Sequence, residues 1–530
     1  MEITDHVENI LKGVNKFGKY QIFAYLSLGF VYMFNIFDLG YIFIARDAKY
    51  RCFIPECEAD SRSVIYNPEW LKDFVPFKGG SPDSCHRYAM MNNTCSVTDI
   101  SRNETQACEQ FVYQTHDITI VHDFGIHCEE NVWKLTIVGT VSMCGELVGL
   151  SYSGFISDRY GRKTILIAGV LLSTLCGILK SLSVSYTMYV IMEFLDPALG
   201  AGMYNAAFIL AMEFVAPKHR NFANTVICCL VASSQCILAL AAWLTPSWRI
   251  MLRILYIPGF IAITFFWTIP ESIRWLLSKN KIEEIQIIVS RLQGKETLSE
   301  NTTLLTFFHS YAEKRSIVTE KQSETFIDAV KSRILLLRLI HCAFTWICCT
   351  FLYFGLTMNS VTLSEDVYSS FILSALVEIP GYLIYYYGNS KIGRRLFLSI
   401  TFISAGVSCL AVGFIPKDLH WLKLTLYLVG KCSATISYTV IYVYTTEMFP
   451  TTCRHSTLSV CSMLGRFGSM LAPQIPFMAR MYEILPLILF AIIGSTSGTL
   501  ALLFPETLNT KLPETIQEAI DIGKNQKRNI

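Results

Sequence analysis

Twelve long apolar runs alternate with polar connections along the 530-residue chain, at 21–45, 132–155, 164–181, 186–211, 223–244, 250–269, 334–357, 367–388, 396–415, 422–445, 456–479 and 485–504. Each is about 20 residues, the length a helix needs to cross a hydrocarbon core. The pattern predicts an all-α membrane protein of twelve transmembrane helices. It is faintest at 164–181, which carries serines, and at 456–479, which holds Arg466 and two prolines. Two polar stretches interrupt the series, 46–131 and 270–333. They divide the chain into a polar N-terminus (1–20), a first six-helix bundle (21–269), a linker (270–333), a second bundle (334–504) and a tail (505–530).

Charge then orients the helices. Arg159, Arg162 and Lys163 lie between runs two and three, Lys218, His219 and Arg220 between four and five, and Lys391, Arg394 and Arg395 between eight and nine. Basic short loops face the cytoplasm, so an even number of spans puts both termini in the cytosol. Residues 1–20 are polar and the first run is long, which reads as a retained signal anchor rather than a cleaved peptide.

Composition supports the membrane reading. Hydrophobic residues make up 52% and charged residues 16% of the chain, against roughly a quarter charged in soluble proteins. The net charge of +2 carries no message, and no nucleic-acid partner is expected. Nor does a phosphate-binding Gly-x-x-x-x-Gly-Lys-Ser/Thr loop suggest ATP-driven action. No bound cofactor or metal is expected, and the oligomeric state stays open.

Segment 46–131 falls outside the cell in this topology. It holds Cys52, Cys57, Cys85, Cys95, Cys108 and Cys128, a number that suits a disulfide-stapled extracellular domain. Six cysteines allow about 15 pairings, and the spacing selects none of them. No compact four-ligand spacing favours zinc. Asn92-Asn-Thr and Asn103-Glu-Thr are glycosylation sequons in the same segment. Asn301-Thr-Thr is a third, but it is cytosolic and expected to stay bare. The linker mixes Lys, Glu, Ile and Leu, as in Lys281-Ile-Glu-Glu-Ile-Gln-Ile-Ile, and predicts short amphipathic helices under the bundle.

The two bundles share motifs. Gly154-Phe-Ile-Ser-Asp-Arg-Tyr-Gly-Arg-Lys163 returns as Tyr386-Tyr-Gly-Asn-Ser-Lys-Ile-Gly-Arg-Arg395, and Glu213 with Arg220 returns as Glu447 with Arg454. Recurrence at nearly one offset marks a duplicated helical unit, the layout of a membrane transporter. Asp158 is placed to accept hydrogen bonds from Arg159, Arg162 or a neighbouring arginine. Such a cluster, joined by Glu213 and Glu447, is expected to hold the cytoplasmic side closed in one state and break in another. Plain topology-setting charge is the simpler reading of the same residues. The second copy has Asn389-Ser-Lys where the first has Ser157-Asp-Arg, so the lock is expected to be asymmetric and to lean on Asp158.

Ionisable residues inside the runs are costly to leave in lipid and mark sites. Seven stand out: Asp38, Glu146, Glu193, Asp196, Glu378, Lys431 and Arg466. Arg466 can hold a carboxylate bidentately, and Glu378 can receive an ammonium group. Together they suit a zwitterion. The alternative is that Glu378, Lys431 and Arg466 neutralise one another. Trp346, Tyr353 and Phe354, with Tyr152, Tyr438, Tyr442 and Tyr444, offer ring faces to a cation, and Gln235 a polar contact. In a chain with 26 Tyr and 34 Phe, packing is the ordinary role of any one ring.

The chain resembles the organic ion transporters of solute carrier family 22, within the major facilitator superfamily. The resemblance rests on the Cys-rich first outer loop, Gly154–Lys163, Pro270-Glu-Ser-Ile-Arg-Trp-Leu276 and Tyr353-Phe-Gly-Leu356. Gly430-Lys431, Tyr444-Thr-Thr-Glu-Met-Phe-Pro450 and Pro505-Glu-Thr507 complete it, so that it covers almost all of the chain. It implies two six-helix halves around a central site alternately open to each side, in the plasma membrane. Within that family, cation-selective members typically carry an acid at the position of Arg466, whereas anion and carnitine-type members carry arginine. Anion transporters usually lack the acid of Glu378. The combination looks most like the carnitine and zwitterion branch. Phe354 and Thr446 depart from the usual tyrosine and alanine. Sodium coupling occurs in some carnitine-type relatives, through the acid matching Glu447, and facilitated exchange is equally compatible. An organic cation transporter relying on Glu378, an organic anion transporter relying on Arg466 and Lys431, and a non-transporting membrane sensor are the rival readings.

Overall fold

The computed structural model describes residues 19–522, apart from 59–64, 79–80, 92–94, 98–99, 215–219, 280, 294–325, 363–365, 390, 417, 451–452, 483, 509–512 and 514. Among these, ten helical spans are long and apolar enough to cross a membrane. They are α1 (Ile22–Ile44), α2 (Glu129–Tyr160), α3 (Arg162–Ser181), α4 (Tyr186–Glu213), α5 (Phe222–Leu244), α6 (Trp248–Thr268), α7 (Arg333–Asn359), α8 (Val367–Gly388), α9 (Arg394–Phe414) and α10 (His420–Met448). The last two expected spans differ. α11 (Arg454–Leu471) is the more polar helix and continues through a 3-10 turn, Ala472–Gln474, into Ile475–Met481. α12 (Leu485–Ala501) is apolar but only 17 residues long.

Local sequence explains the breaks. In α8 one helix ends at Leu376 and the next begins at Glu378. Pro380 has no N–H to give and crowds the carbonyl four residues back. Pro258 starts a 3-10 stretch, Ile257–Thr264, inside α6, and α1 tightens to 3-10 at Ile36–Gly40. Close helix packing rests on small residues. A Cβ at Gly145 would stand 2.2 Å from the Phe194 carbonyl oxygen, and one at Gly149 would stand 2.4 Å from that of Ala198, so α2 lies directly on α4.

Each half has its own buried core, one around Val31, Leu166, Leu210 and Leu252, the other around Leu352, Phe402, Val440 and Phe490. The halves meet on the side of the Cys-rich segment between α1 and α2. Gln474 Nε2 donates to Thr140 Oγ1 at 3.1 Å, the Tyr41 hydroxyl reaches Met358 Sδ at 3.7 Å, and Arg480 pairs with Asp47 at 3.0 Å. Asp117 takes Arg46 at 3.1 Å and the Tyr368 hydroxyl at 3.0 Å, while Tyr368 stacks on Phe43 and Trp243.

The outer domain is three two-stranded antiparallel ribbons. β1 (Tyr50–Cys52) pairs with β6 (Phe111–Tyr113), β2 (Phe77–Lys78) with β3 (Ser81–Pro82), and β4 (His86–Met90) with β5 (Ile100–Ala107). Its six cysteines pair as Cys52–Cys108, Cys57–Cys95 and Cys85–Cys128. Arg51 and Glu58 form a buried ion pair between them. Asn103 is exposed on β5, whereas Asn92 and Asn301 lie outside the described residues. Of the linker, helices Ile273–Ser278, Ile282–Gln293 and Phe326–Lys331 are described. Near the C-terminus Arg338 of α7 holds helix Ile516–Asp521 through the carbonyls of Ala519 and Ile522.

Candidate functional site: central charge pairs and two glycine-turn clusters

Glu378 opens the second half of broken α8 and is fully buried. Lys431 of α10 stands 2.9 Å from its Oε1. The Tyr353 hydroxyl donates to both oxygens at 3.0 Å, and the Tyr382 hydroxyl and Gln235 Nε2 reach Oε2 at 3.1 and 3.2 Å. Gln235 belongs to α5, so this carboxylate ties the halves together. Lys431 also donates to Thr357 Oγ1 at 2.6 Å and lies 3.8 Å from the centre of the Tyr353 ring.

Arg466 is not part of that group. Its guanidinium crosses from α11 to Glu146 of α2 at 2.9 Å, with side chains 13% and 23% exposed. The three second-half charges therefore do not neutralise one another as a set. Glu378 takes Lys431, and Arg466 takes an acid of the other half. Gly468 sets α11 directly on α7 of the same half, because a Cβ there would stand 2.1 Å from the Ile347 carbonyl oxygen.

Aromatic rings connect the two pairs. Tyr353 stacks on Tyr438 at 4.8 Å, Tyr438 meets Tyr442 edge-on at 5.4 Å, and Trp346 meets Tyr442 at 4.5 Å. Tyr204, Tyr438 and Tyr442 all lie within electrostatic reach of Arg466. The Trp346 indole N–H is used on Thr445, and Phe354 packs edge-on against Tyr353. Tyr152 lies elsewhere, its hydroxyl donating to the Ala198 carbonyl at 2.5 Å to hold α2 to α4. Tyr444 is likewise spent, on the Pro505 carbonyl.

The repeated loop motifs form two clusters with one plan. Gly161 precedes α3 with φ +101, and Gly393 precedes α9 with φ +91, a conformation that favours glycine. Each turn leaves the first backbone N–H groups of its helix open to a carboxylate. Glu271 accepts from the N–H of Arg162 and Lys163 at 2.9 and 3.2 Å. Glu506 accepts from those of Arg394 and Arg395 at 2.9 and 3.2 Å. Burial pushes the Glu271 carboxyl above its ordinary value, against these N–H donors. Ser272 then donates to Glu213 at 2.6 Å, and Thr507 donates to Glu447 at 2.6 Å.

The guanidinium partners differ between the copies. Arg162 takes Asp158 at 2.6 Å and the Ser157 carbonyl at 3.1 Å. Arg394 takes the Asn389 carbonyl at 2.9 Å and grips Glu447 at 3.1 and 3.2 Å. The missing loop acid is thus replaced by Glu447, which comes from a different helix. Arg159 lies over the Tyr160 ring at 5.5 Å. Arg454 has Nε and Nη2 buried without a hydrogen bond, and the Arg220 side chain lies outside the described residues. Sequence reasoning noted Pro270-Glu-Ser and Pro505-Glu-Thr but gave Glu271 and Glu506 no role. Their signal was a third recurrence, the two acids standing 235 positions apart.

Comparisons with known proteins agree with this architecture. Residues 117–473 match the model of the Major Facilitator Superfamily. Solute carrier family 22 member 3 of Mus musculus is 30% identical over 98% of this chain and 96% of its own length. Solute carrier family 22 member 1 of Bos taurus is 31% identical over 98% and 94%, and the organic cation transporter protein of Drosophila melanogaster is 29% identical over 98% and 95%. Among solved structures, the xylose transporter of E. coli in a partially occluded inward open conformation superposes with a TM-score of 0.59. It is 16% identical over 74% of this chain and 93% of that one, a likeness of fold. Glycine turns capped by paired acids in both halves, around a charged core, are thus set in a chain that belongs to solute carrier family 22 of the major facilitator superfamily, a multi-pass membrane transporter of the organic ion type rather than an enzyme.

Proposed function

We propose that the protein carries small organic zwitterions, of the carnitine-like amino-carboxylate kind, across the plasma membrane by alternating access, with both termini in the cytosol. The observation that carries this reading is the Arg466–Glu146 pair. It spans the two halves, is partly open, and lies within electrostatic reach of Tyr204, Tyr438 and Tyr442. A zwitterion can replace such a pair without leaving a bare charge, its carboxylate taking Arg466 and its ammonium taking Glu146 and the ring faces. A simple cation would strand Arg466, and a simple anion would strand Glu146, and stranding a desolvated charge costs about 3–5 kcal/mol. Glu378, already balanced by Lys431, acts as the support of the Tyr353–Tyr438 stack and as a tie to Gln235.

The organic cation reading keeps one support, the name of the Drosophila relative. In that case Glu146 and the rings hold the cation while Arg466 turns aside. Binding would separate Arg466 from Glu146 and loosen the tie between α2 and α11. The Asp158–Arg162 and Arg394–Glu447 clusters each lie within one half, and on this reading they meet across the halves when the cytoplasmic side closes. Asn103 is the exposed candidate for glycosylation. Competitive uptake of carnitine, tetraethylammonium and a simple dicarboxylate into proteoliposomes tests the assignment. Preference for carnitine, lost in Arg466→Ala, is the expected result.

A further inference from the structure

A second set of charges lies apart from the central pairs, inside the first half near its expected outer face. Lys180, one residue from the end of α3, stands 2.8 Å from Asp196 Oδ2 and 3.1 Å from Glu193 Oε2, both on α4. All three are at most 2% exposed. Tyr256 of α6 donates to Asp196 Oδ2 at 2.6 Å and lies 3.4 Å from Asp38 Oδ1. Ser173 donates to Asp196 Oδ1. The site is built into the packing, because a Cβ at Gly177 would stand 2.1 Å from the Tyr256 ring.

Donors are shared unequally. Asp196 receives Lys180, Tyr256 and Ser173. The single hydroxyl proton of Tyr256 goes to Asp196, the nearer acid, which leaves Asp38 poorly served. Glu193 Oε1 is buried with no hydrogen bond, as is the Tyr189 hydroxyl. Two carboxyl groups thus share one ammonium, and a third, Asp38, joins them through Tyr256, in a medium that does not tolerate unbalanced charge. Among the described residues no group of acids is arranged to hold a metal ion, and the remaining balance falls to protons.

We propose that this cluster is a proton-binding site of the transport cycle, with Asp38 the carboxyl that loads and releases the proton and Glu193 its reserve. Asp38 is suited by position. It sits on the 3-10 break of α1 and is only partly buried. Tyr41, three residues on, carries the same segment to Met358 of the other half. The facing groups are Tyr41 on α1, Glu146 on α2, Cys176 and Lys180 on α3, Tyr189, Glu193 and Asp196 on α4, and Tyr256 on α6. Arg253 of α6 turns instead to Ser181 Oγ at 3.3 Å. Loading forms a carboxyl O–H on Asp38 with a proton from water on one side. Release breaks that bond and returns the proton to water on the other side. Glu146, within electrostatic reach of Asp38, links the proton to the Arg466 pair.

The proposal rests on membership of the transporter family and not on the zwitterion reading. The full-length protein in lipid, titrated by infrared difference spectroscopy, is expected to show a protonated-carboxyl C=O stretch that titrates with pH. It is lost in Asp38→Asn and shifted in Glu193→Gln. A wild type with no such band, or a band unmoved in whichever variants fold, overturns the site. In proteoliposomes, an imposed acid-outside gradient is expected to drive accumulation of carnitine or tetraethylammonium by the wild type, and Asp38→Asn to lose it. Accumulation that follows sodium and ignores pH overturns the coupling. If neither probe moves, the substrate reading fails while the infrared titration still decides the proton site.

Discussion

Lys431 and Glu378 are buried as a pair, so removing one strands the other. Lys431→Met is expected to lower stability by about 3–5 kcal/mol, and the double variant with Glu378→Gln to recover most of it. Thermal unfolding of the purified protein checks this, and equal losses in the single and double variants would contradict the pairing. The charged residues themselves were legible in the sequence, since each interrupts an apolar run. Their partners were not. Glu146 and Arg466 are 320 positions apart, and nothing local marks which acid an arginine will meet. Lys180 was missed for another reason. It stands next to the last residue of its run, 164–181, where a charge reads as bordering the polar connection, and packing against α4 and α6 buries it.

Among the elements, the capped glycine turns show how duplication becomes structure. A Cβ at Gly161 would stand 2.2 Å from Glu271 Oε2, and one at Gly393 would stand 2.8 Å from Glu506 Oε2. Gly161→Ala is therefore expected to cost more than the roughly 1–3 kcal/mol of this glycine-only backbone conformation alone, and more than Gly393→Ala. Surface expression and unfolding midpoints give the comparison. The turns were readable from the repeated glycines, whereas their acids required two further motifs to be seen as copies. In the outer domain, burial holds His122 and His127 below the ordinary 6.5 of histidine. The folded domain then binds protons less tightly than the unfolded chain. Its stability is complete above 6.5 and falls as pH drops through that value. Protease resistance of the outer domain is expected to decline on acidification, and His122→Gln with His127→Gln to flatten the decline. The helical breaks in α1, α6 and α8 follow from prolines in two cases. The 3-10 turn at Ile36–Gly40 has no such marker.

Over the whole molecule, the halves are joined on the side of the Cys-rich domain, through Asp117, Arg46 and Tyr368 and through Gln474 with Thr140. Cys236 of α5 sits at this seam, its thiol against the Ile372 carbonyl. Asp117→Asn with Tyr368→Phe is expected to release the outer contacts and raise labelling of Cys236 by a membrane-impermeant thiol reagent, read residue by residue by mass spectrometry. Unchanged labelling would place the closure elsewhere. The two-half layout was visible in the offset of the motifs, while the conformation was not, because one sequence serves every state of the cycle. The decisive measurement is uptake of radiolabelled carnitine into proteoliposomes, with tetraethylammonium and a dicarboxylate as competitors, for the wild type and Arg466→Ala. The Arg466–Glu146 account predicts that the wild type prefers carnitine and that the variant loses carnitine uptake. Tetraethylammonium uptake unaffected by Arg466→Ala, with no carnitine transport in either protein, would contradict it.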